Sequence, residues 1–351
     1  MANNWDELLT DVLVEIAKRI RMSEDYVAFR GVCTSWRSAA TKDNFMFRNC
    51  PVPLLMLQSR NDSHVLDFYN LTHGIVNQVS LSEPLTGKKC YSSKGCLIII
   101  DQSLNVNLMH PFSNLQHKFP NMKTIEGGNL HPDSLLITKC VLSSNPLLEP
   151  DYMLMVIYGT RKLVYARPGD ETWTVLSQDL SGYWDITYYE GQIYAASFYG
   201  RIKAYKVGEV NNSSKKEQVA KLPIKFPPHH PPMAYIVESA RALLIVLRYI
   251  HYGHEVSSKF RTFEFVVFNL DLSTRTYTEV KDLDNRIIFL DQLSSFSSAH
   301  LPNCKPNSIY FTEKGVKDMG IYSLQDGSIT FTSHVGHESS DPITPPMWIE
   351  L

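Results

Sequence analysis

No stretch of this sequence is apolar for long enough to cross a bilayer as a helix. The longest runs, Leu97 to Ile100 and Ala242 to Leu247, fall far short of the roughly 20 residues that a helical crossing takes. No basic start followed by an apolar segment opens the chain, so no secretory signal is visible. Excess charge of either sign is also missing. Lysine and arginine number 34 against 36 aspartates and glutamates, for a formal net charge of −2. Without a sustained basic run, the broad attraction that draws nucleic acid or anionic lipid is absent, and neither nucleic acid nor membrane is expected as a partner. Cysteine is scarce. The six residues Cys33, Cys50, Cys90, Cys96, Cys140 and Cys304 recur at no fixed spacing, which argues against a zinc site and reads as reduced thiols of an intracellular protein, in nucleus, cytosol or both. No glycine-rich phosphate loop follows a strand and no Gly-x-Ser-x-Gly elbow is present, so nucleotide and hydrolase chemistry have no foothold.

What is there is the composition of an ordinary globular protein, 44% hydrophobic and 20% charged, with 18 tyrosines and 16 phenylalanines that lean towards β structure. A chain of 351 residues suits one large domain and one small one. Near the start, Leu8, Val12, Ile16 and Ile20, with Leu9 and Leu13 beside them, form the stripe of an amphipathic helix whose outer face carries Glu15, Lys18 and Arg19. Ser23, followed by Glu24 and Asp25, reads as the cap of a second helix through Tyr26, Val27 and Phe29, which Gly31 ends. A third short helix runs through Cys33, Trp36 and Ala39, and helix stops near Cys50-Pro51-Val52-Pro53. Three helices in about 45 residues bury too little surface to be comfortable alone, so apolar groups should remain for a partner to cover.

These residues carry a resemblance. The series Trp5-Asp6-Glu7-Leu8, Val12-Leu13, Ile16, Arg19-Ile20, Asp25 and Phe29-Arg30-Gly31-Val32-Cys33-Thr34-Ser35-Trp36-Arg37 resembles an F-box. It departs from the usual pattern at Leu9, where proline is common, and at Thr34 and Ser35, where a lysine often stands. Losing the proline removes a helix-start preference while leaving the apolar surface intact. The resemblance implies docking onto a Skp-type adaptor, which in turn holds a cullin and a RING protein. The positions it places against the adaptor are Leu8, Leu13, Ile16, Val32, Cys33 and Trp36. The competing interpretation is that this stripe only packs the three helices together or caps the following domain.

Beyond Pro53 the texture changes to short alternating runs broken by Gly, Asn, Asp and Pro, the pattern of many antiparallel strands. One device recurs: an apolar strand, a polar turn, and a second strand ending on apolar residues. It occupies Phe68 to Leu81, Leu108 to Phe119, Val164 to Leu176, Tyr205 to Leu222, Phe268 to Val280 and Tyr322 to Phe331. The mean spacing is about 51 residues, near the roughly 40 to 50 of propeller repeats. Further strand signals precede most copies and can complete four-stranded blades whose edges radial closure protects. Six blades are expected, with seven left open, because Val52 to Gln58 and Pro345 to Leu351 can each be assigned to a sixth or a seventh; a β-sandwich is the alternative.

The same region resembles a large plant F-box family with a kelch-like propeller of unassigned function. The similarity runs through Met109-His110-Pro111-Phe112-Ser113, in place of that family's Asn-Pro-x-Thr turn, Asp185 to Tyr189 with Ile193-Tyr194-Ala195, Val267 to Asp271, and Asn307 to Phe311. Paired glycines of a true kelch array occur only at Gly127-Gly128. The expected fold class is therefore α+β and multidomain: a three-helix F-box over residues 1–50, then an all-β propeller over 51–351.

Other constellations point less far. His251, His254 and Glu255 lack the helical spacing of a zinc site, and neither a metal nor a cofactor is expected. The run Pro227-Pro228-His229-His230-Pro231-Pro232 reads as a stiff connector, and Asn211 to Glu217 as a polar loop. Asp185, Glu190 and Asp291 are acids that could meet in a propeller channel, but turns and blade packing explain them equally well, so no catalytic residue is named. Among the aromatics Trp173, Tyr183, Trp184, Tyr199, Tyr249 and Tyr252, most should fill blade cores. Tyr183 and Trp184, with Phe198 and Tyr199, stand beside turns and are the candidate target-binding residues. The function expected is non-catalytic substrate recognition for a ubiquitin ligase of the Skp, cullin and F-box type. The alternatives are a propeller enzyme or ligand-binding protein with a helical cap, and an F-box scaffold acting outside the ligase.

Overall fold

The computed structural model describes residues 8–20, 23–41, 53–58, 64–71, 76–81, 83–113, 115–125, 137–159, 162–179, 182–207, 216–222, 232–251, 261–291, 293–299, 301, 303–312, 319–331 and 347–350. The first element, α1 (Thr10–Arg19), starts two residues later than its apolar stripe. Leu9 is its N-cap at φ −57°, ψ 139°, and has no side-chain oxygen to bond the free N–H groups. Asp11 in the first turn and Lys18 and Arg19 in the last suit the helix dipole. The second helix, α2 (Ser23–Val32), runs through Gly31 rather than ending there. Cys33 breaks it instead, in a fully extended conformation (φ −160°, ψ −179°) that also makes it the N-cap of α3 (Thr34–Ala39). Leu13, Ala17, Phe29, Ala39 and Ala40 form the buried centre of this module, and the Phe29 and Trp36 rings lie 4.4 Å apart.

The rest of the described chain is six sheets. The first blade contains β1 (Pro53–Gln58), β2 (Val65–Asn70) and β3 (Val76–Ser80). The second is β4 (Lys89–Ser93), β5 (Cys96–Ile100), β6 (Val106–Met109) and β7 (Gln116–Phe119). The third is β8 (Ile137–Leu142), β9 (Leu154–Tyr158), β10 (Lys162–Ala166) and β11 (Thr174–Gln178), and the fourth β12 (Tyr183–Tyr189), β13 (Gln192–Ser197), β14 (Arg201–Lys206) and β15 (Lys216–Lys221). The fifth is β16 (Met233–Ser239), β17 (Ala242–His251), β18 (Arg261–Asp271) and β19 (Thr276–Val280). The sixth has five strands, β20 (Ile287–Leu290), β21 (Ser295–Ser298), β22 (Ser308–Phe311), β23 (Gly320–Ser323) and β24 (Ile329–Phe331), in the order β21-β20-β22-β23-β24 with β20 and β22 parallel. Finally β25 (Met347–Glu350) returns to the first blade and pairs antiparallel with β1, setting Leu54 opposite Ile349. Both terminal segments left open by the sequence thus belong to one blade, and the blade number is six. The recurring device seen in the sequence is the outer hairpin of each blade, β2–β3 through β23–β24.

A propeller of this kind has its core between neighbouring sheets. Leu97 and Leu54 pack between the first two blades, Ile98 and Val156 between the second and third, and Met155 and Ile193 between the third and fourth. Ile202 and Ile245 follow, then Val246 and Ile288, and Phe289 and Trp348 close the circle between the sixth blade and the first. Each sheet therefore buries both faces, which explains why inner strands such as β5 and β9 are apolar at every position instead of alternating.

Candidate functional site

Six innermost strands, β25, β4, β8, β12, β16 and β21, surround a central channel. Contacts between them join beginnings to beginnings and ends to ends. Asp185 near the start of β12 meets Lys139 of β8 at 2.9 Å and accepts the Ile236 N–H of β16 at 2.8 Å. Lys94, just past the end of β4, lies 3.4 Å from Glu238 near the end of β16. The inner strands consequently run in one direction, and the propeller has two chemically distinct faces. One bears the turns that leave the inner strands, at Lys94-Gly95, Glu190-Gly191 and Ala240-Arg241 and the connection 143–153. The other bears the starts of the inner strands and the turns between second and third strands, Phe198-Tyr199 among them.

On the first face a cavity of about 610 Å³ opens into the channel, with Lys94, Lys139, Glu238, Arg241, Arg286 and Glu350 among its lining residues. Lys139 and Asp185 are both buried, and Lys139 also donates to Ser295 Oγ at 3.2 Å. Asp185 further accepts the Ile186 N–H at 2.8 Å, so each of its carboxylate oxygens is engaged, as a buried charge requires. Deeper still, Asp291 accepts from the backbone N–H groups of Leu293, Ser294 and Trp348 at 2.5–2.6 Å and from Ser294 Oγ at 2.9 Å. Burial pushes its carboxyl up, and those N–H groups together with the charge of Lys139 oppose the shift. Burial likewise raises Glu350, helped by the nearby Glu238 charge and opposed by Lys94, while Glu350 and Glu238 hold Lys94 above its ordinary value. These acids serve packing and ring closure. Glu190 is separate from them, exposed in its turn. Among the described residues no group of three or more potential ligands gathers to hold a metal ion. His251 stacks on Phe263 at 4.2 Å, whereas His254, Glu255, residues 227–231 of the proline run, Gly127-Gly128, Tyr252 and Cys50 lie outside the described residues. The five described cysteines are free thiols.

The helical module meets the propeller on that same face: Arg30 Nη2 donates to the Leu147 carbonyl at 3.2 Å, and Arg30 Nη1 reaches the Ala40 carbonyl. Of the six residues expected at an adaptor surface, Leu13 is fully buried within the module, so its role is to hold α1 on α2 and α3. Leu8, Ile16 and Trp36 pack half-buried against that centre, Cys33 is partly accessible, and Val32 is 52% exposed. Two residues of the same apolar stripe that were not among those six are more open, Leu9 at 75% and Val12 at 42% exposure. Their spacing of three puts them on one side of α1, and which part of the stripe the other two helices leave uncovered is set by packing.

On the opposite face, Tyr183 is wholly buried, its hydroxyl bonded to Ser177 Oγ at 3.0 Å and to the Tyr205 hydroxyl at 2.8 Å. Its ring serves the blade core, which removes it from the candidate target-binding group. Trp184 and Phe198 are half-buried with ring centres 4.5 Å apart. Gly182 permits this approach, having φ +71° and a position where a Cβ would fall 2.3 Å from the Phe198 ring. Tyr199 is 57% exposed at the rim. Trp173, with its indole N–H on the Pro120 carbonyl at 2.9 Å, and Tyr249 are core. No helix among the described residues is long and apolar enough to cross a membrane.

Comparison with known proteins extends this geometry. A family model described as KIB1-4 beta-propeller matches residues 68–323. The F-box protein SKIP23 of Arabidopsis thaliana is 25% identical, over 99% of this chain and 95% of its own length. The F-box protein At4g35733 of the same plant is 25% identical, covering 94% of each chain. A third, F-box protein At2g17690, reaches 40% identity over 75 residues, 21% of this chain and 18% of its own.

Proposed function

Because the chain belongs to the KIB1-4 beta-propeller family, we propose that it is the target-recognition subunit of a ubiquitin ligase. Residues 1–50 act as the F-box that docks a Skp-type adaptor and, through it, a cullin and a RING protein; residues 51–351 hold a target protein. The observation that carries this reading is the uncovered apolar surface of the helical module, Leu9, Val12 and Val32. A unit this small gains nothing from leaving such groups in water unless a partner covers them. Relatives that bear the F-box name along nearly the whole chain support the same assignment. The chain supplies proximity and no chemistry of its own: a target held on the propeller presents its lysines to activated ubiquitin at high effective concentration. Arg30 fastens the docking module to the face that carries Leu147, which leaves the Trp184, Phe198 and Tyr199 side for the target.

The test is co-expression with a Skp-type adaptor followed by size-exclusion chromatography. The wild type should elute as a one-to-one complex. Val32→Asp should abolish the complex and leave the unfolding midpoint unchanged, since Val32 is more exposed than buried. Ile16→Asp is a poorer probe, because Ile16 packs on the module's centre and a carboxylate there unfolds it. A wild-type chain that stays alone sinks the reading.

A further inference from the structure

The channel cavity has a charge pattern that target recognition on the opposite face does not use. Its lining includes four bases, Lys94, Lys139, Arg241 and Arg286, but only two acids, Glu238 and Glu350, along with five serines. Two of the bases are neutralised where they stand, Lys139 by Asp185 and Lys94 by Glu238. Arg286 and Arg241 are not: among the described residues neither guanidinium has a carboxylate partner. Arg286 is nevertheless fixed in place. Its Nε donates to Ser239 Oγ at 3.0 Å and to Ser297 Oγ at 3.2 Å, and the two hydroxyls lie 2.9 Å from each other. A guanidinium stays charged at any physiological pH. With Nε held by hydroxyls, its two Nη groups remain as a fork of the shape that carboxylate and phosphate oxygens fit. Trp348, which also lines the cavity, leaves its indole N–H without an acceptor. The volume of about 610 Å³ lies within the roughly 300–1,000 Å³ of small-molecule sites.

We infer that the channel of this propeller is a binding site for a small oxyanion, a phosphate- or carboxylate-bearing molecule gripped by Arg286 with Arg241 at the mouth. The arrangement is that of a prepared site: the cation is oriented before the ligand arrives, so little ordering cost falls on binding. The serine-rich wall favours a hydrophilic ligand over an apolar one. Lys94 sits at the rim paired to Glu238, which limits the ligand to one that does not need that ammonium. The site lies on the face that carries the helical module, away from Tyr199, so it is separate from the proposed target edge.

Isothermal titration of the full chain with pyrophosphate and, separately, citrate tests this at constant ionic strength, with sodium chloride as the control for general screening. Saturable one-to-one binding of at least one anion is expected. Arg286→Gln should weaken it at least tenfold, Arg286→Lys less, and Arg241→Gln a few-fold. Should Arg286→Gln fail to fold, judged by loss of a cooperative thermal transition, Arg241→Gln decides, since its side chain is exposed and its loss leaves the fold intact. Absence of binding by both anions, or equal affinity in the wild type and the deciding variant, overturns the inference. A synthetic peptide ending in a free carboxylate, added as a competitor, separates the two sources of such a group: displacement of the bound anion by peptide and not by its amidated form would assign the site to a target's chain end and overturn the small-molecule assignment.

Discussion

At the scale of single residues, His110 shows how burial converts a titratable side chain into a pH-dependent component of stability. The ring is buried and its Nδ1 accepts the Phe112 N–H at 3.2 Å, a bond that only the neutral imidazole can accept. Burial pushes its pKa down from 6.5 to about 4. The unfolded chain takes up a proton near pH 6.5 and the folded chain does not until near pH 4. This contribution is therefore complete above about pH 6.5 and is lost as pH falls towards 4, by up to about 3 kcal/mol. His110→Asn keeps an acceptor for the Phe112 N–H, and asparagine before Pro111 suits a turn. In urea unfolding followed from pH 7 to pH 4, the variant should lose less stability than the wild type over that window. Parallel curves for the two proteins would mean that His110 is not the group responsible. The buried pair of Lys139 and Asp185 works differently: it ties β8 to β12, and Asp185 also accepts the Ile236 N–H of β16.

At the scale of elements, β25 is the piece on which closure depends. Its three apolar side chains, Met347, Trp348 and Ile349, are buried, its backbone pairs with β1, and the Trp348 peptide is bonded by Ser92 Oγ at 2.6 Å, by Ser294 Oγ at 3.0 Å and by Asp291. At roughly 1.5–3 kcal/mol for each large apolar side chain, the strand contributes an amount comparable with the whole stability of a typical domain, about 5–15 kcal/mol. Deleting residues 347–351 should abolish the cooperative thermal transition or lower its midpoint by more than 10 °C, roughly what a loss of several kcal/mol produces at this size. Limited proteolysis should then cut first in blade one, where β1 has lost its inner neighbour. A midpoint within a degree or two of the full chain would show that β1 alone suffices as the inner strand.

At the scale of the whole molecule, the proposed function assigns the adaptor and the target to opposite faces, so the two bindings should be separable. Val32 on the helical module and Tyr199 on the far rim are both exposed, so substitutions at either leave stability within about 0.5 kcal/mol and act on binding alone. Tyr199→Ala should retain the adaptor complex on size-exclusion chromatography while losing the target proteins that copurify with the wild type, as identified by mass spectrometry. Val32→Asp should do the reverse. If Tyr199→Ala copurifies the same proteins in the same amounts, the target edge lies elsewhere on the propeller.

The sequence by itself determined that three short helices precede a region of strands, and where the outer hairpins fall. Those are local properties: an apolar stripe at helical spacing in Val12 and Ile16, or an apolar strand, a polar turn and a second strand as in Phe268 to Val280. It also carried the order of motifs by which the F-box resemblance was seen. Tertiary structure alone decided that residues 347–350 complete the blade begun at Pro53, because the pairing of Leu54 with Ile349 joins positions that no local periodicity relates. It decided that Leu13 faces inward while Val12, one residue earlier, faces water, since a stripe six residues wide does not say which edge the neighbouring helices will cover. It placed Tyr183 in the core and Tyr199 at the rim, although both are aromatic residues beside turns. And it brought Arg286, which stands between an ordinary turn and an apolar strand in the sequence, to two serines from other strands at the channel wall. Spacing along the chain encodes which face of one element is apolar; which elements meet around a closed ring depends on contacts that exist only once the ring has formed.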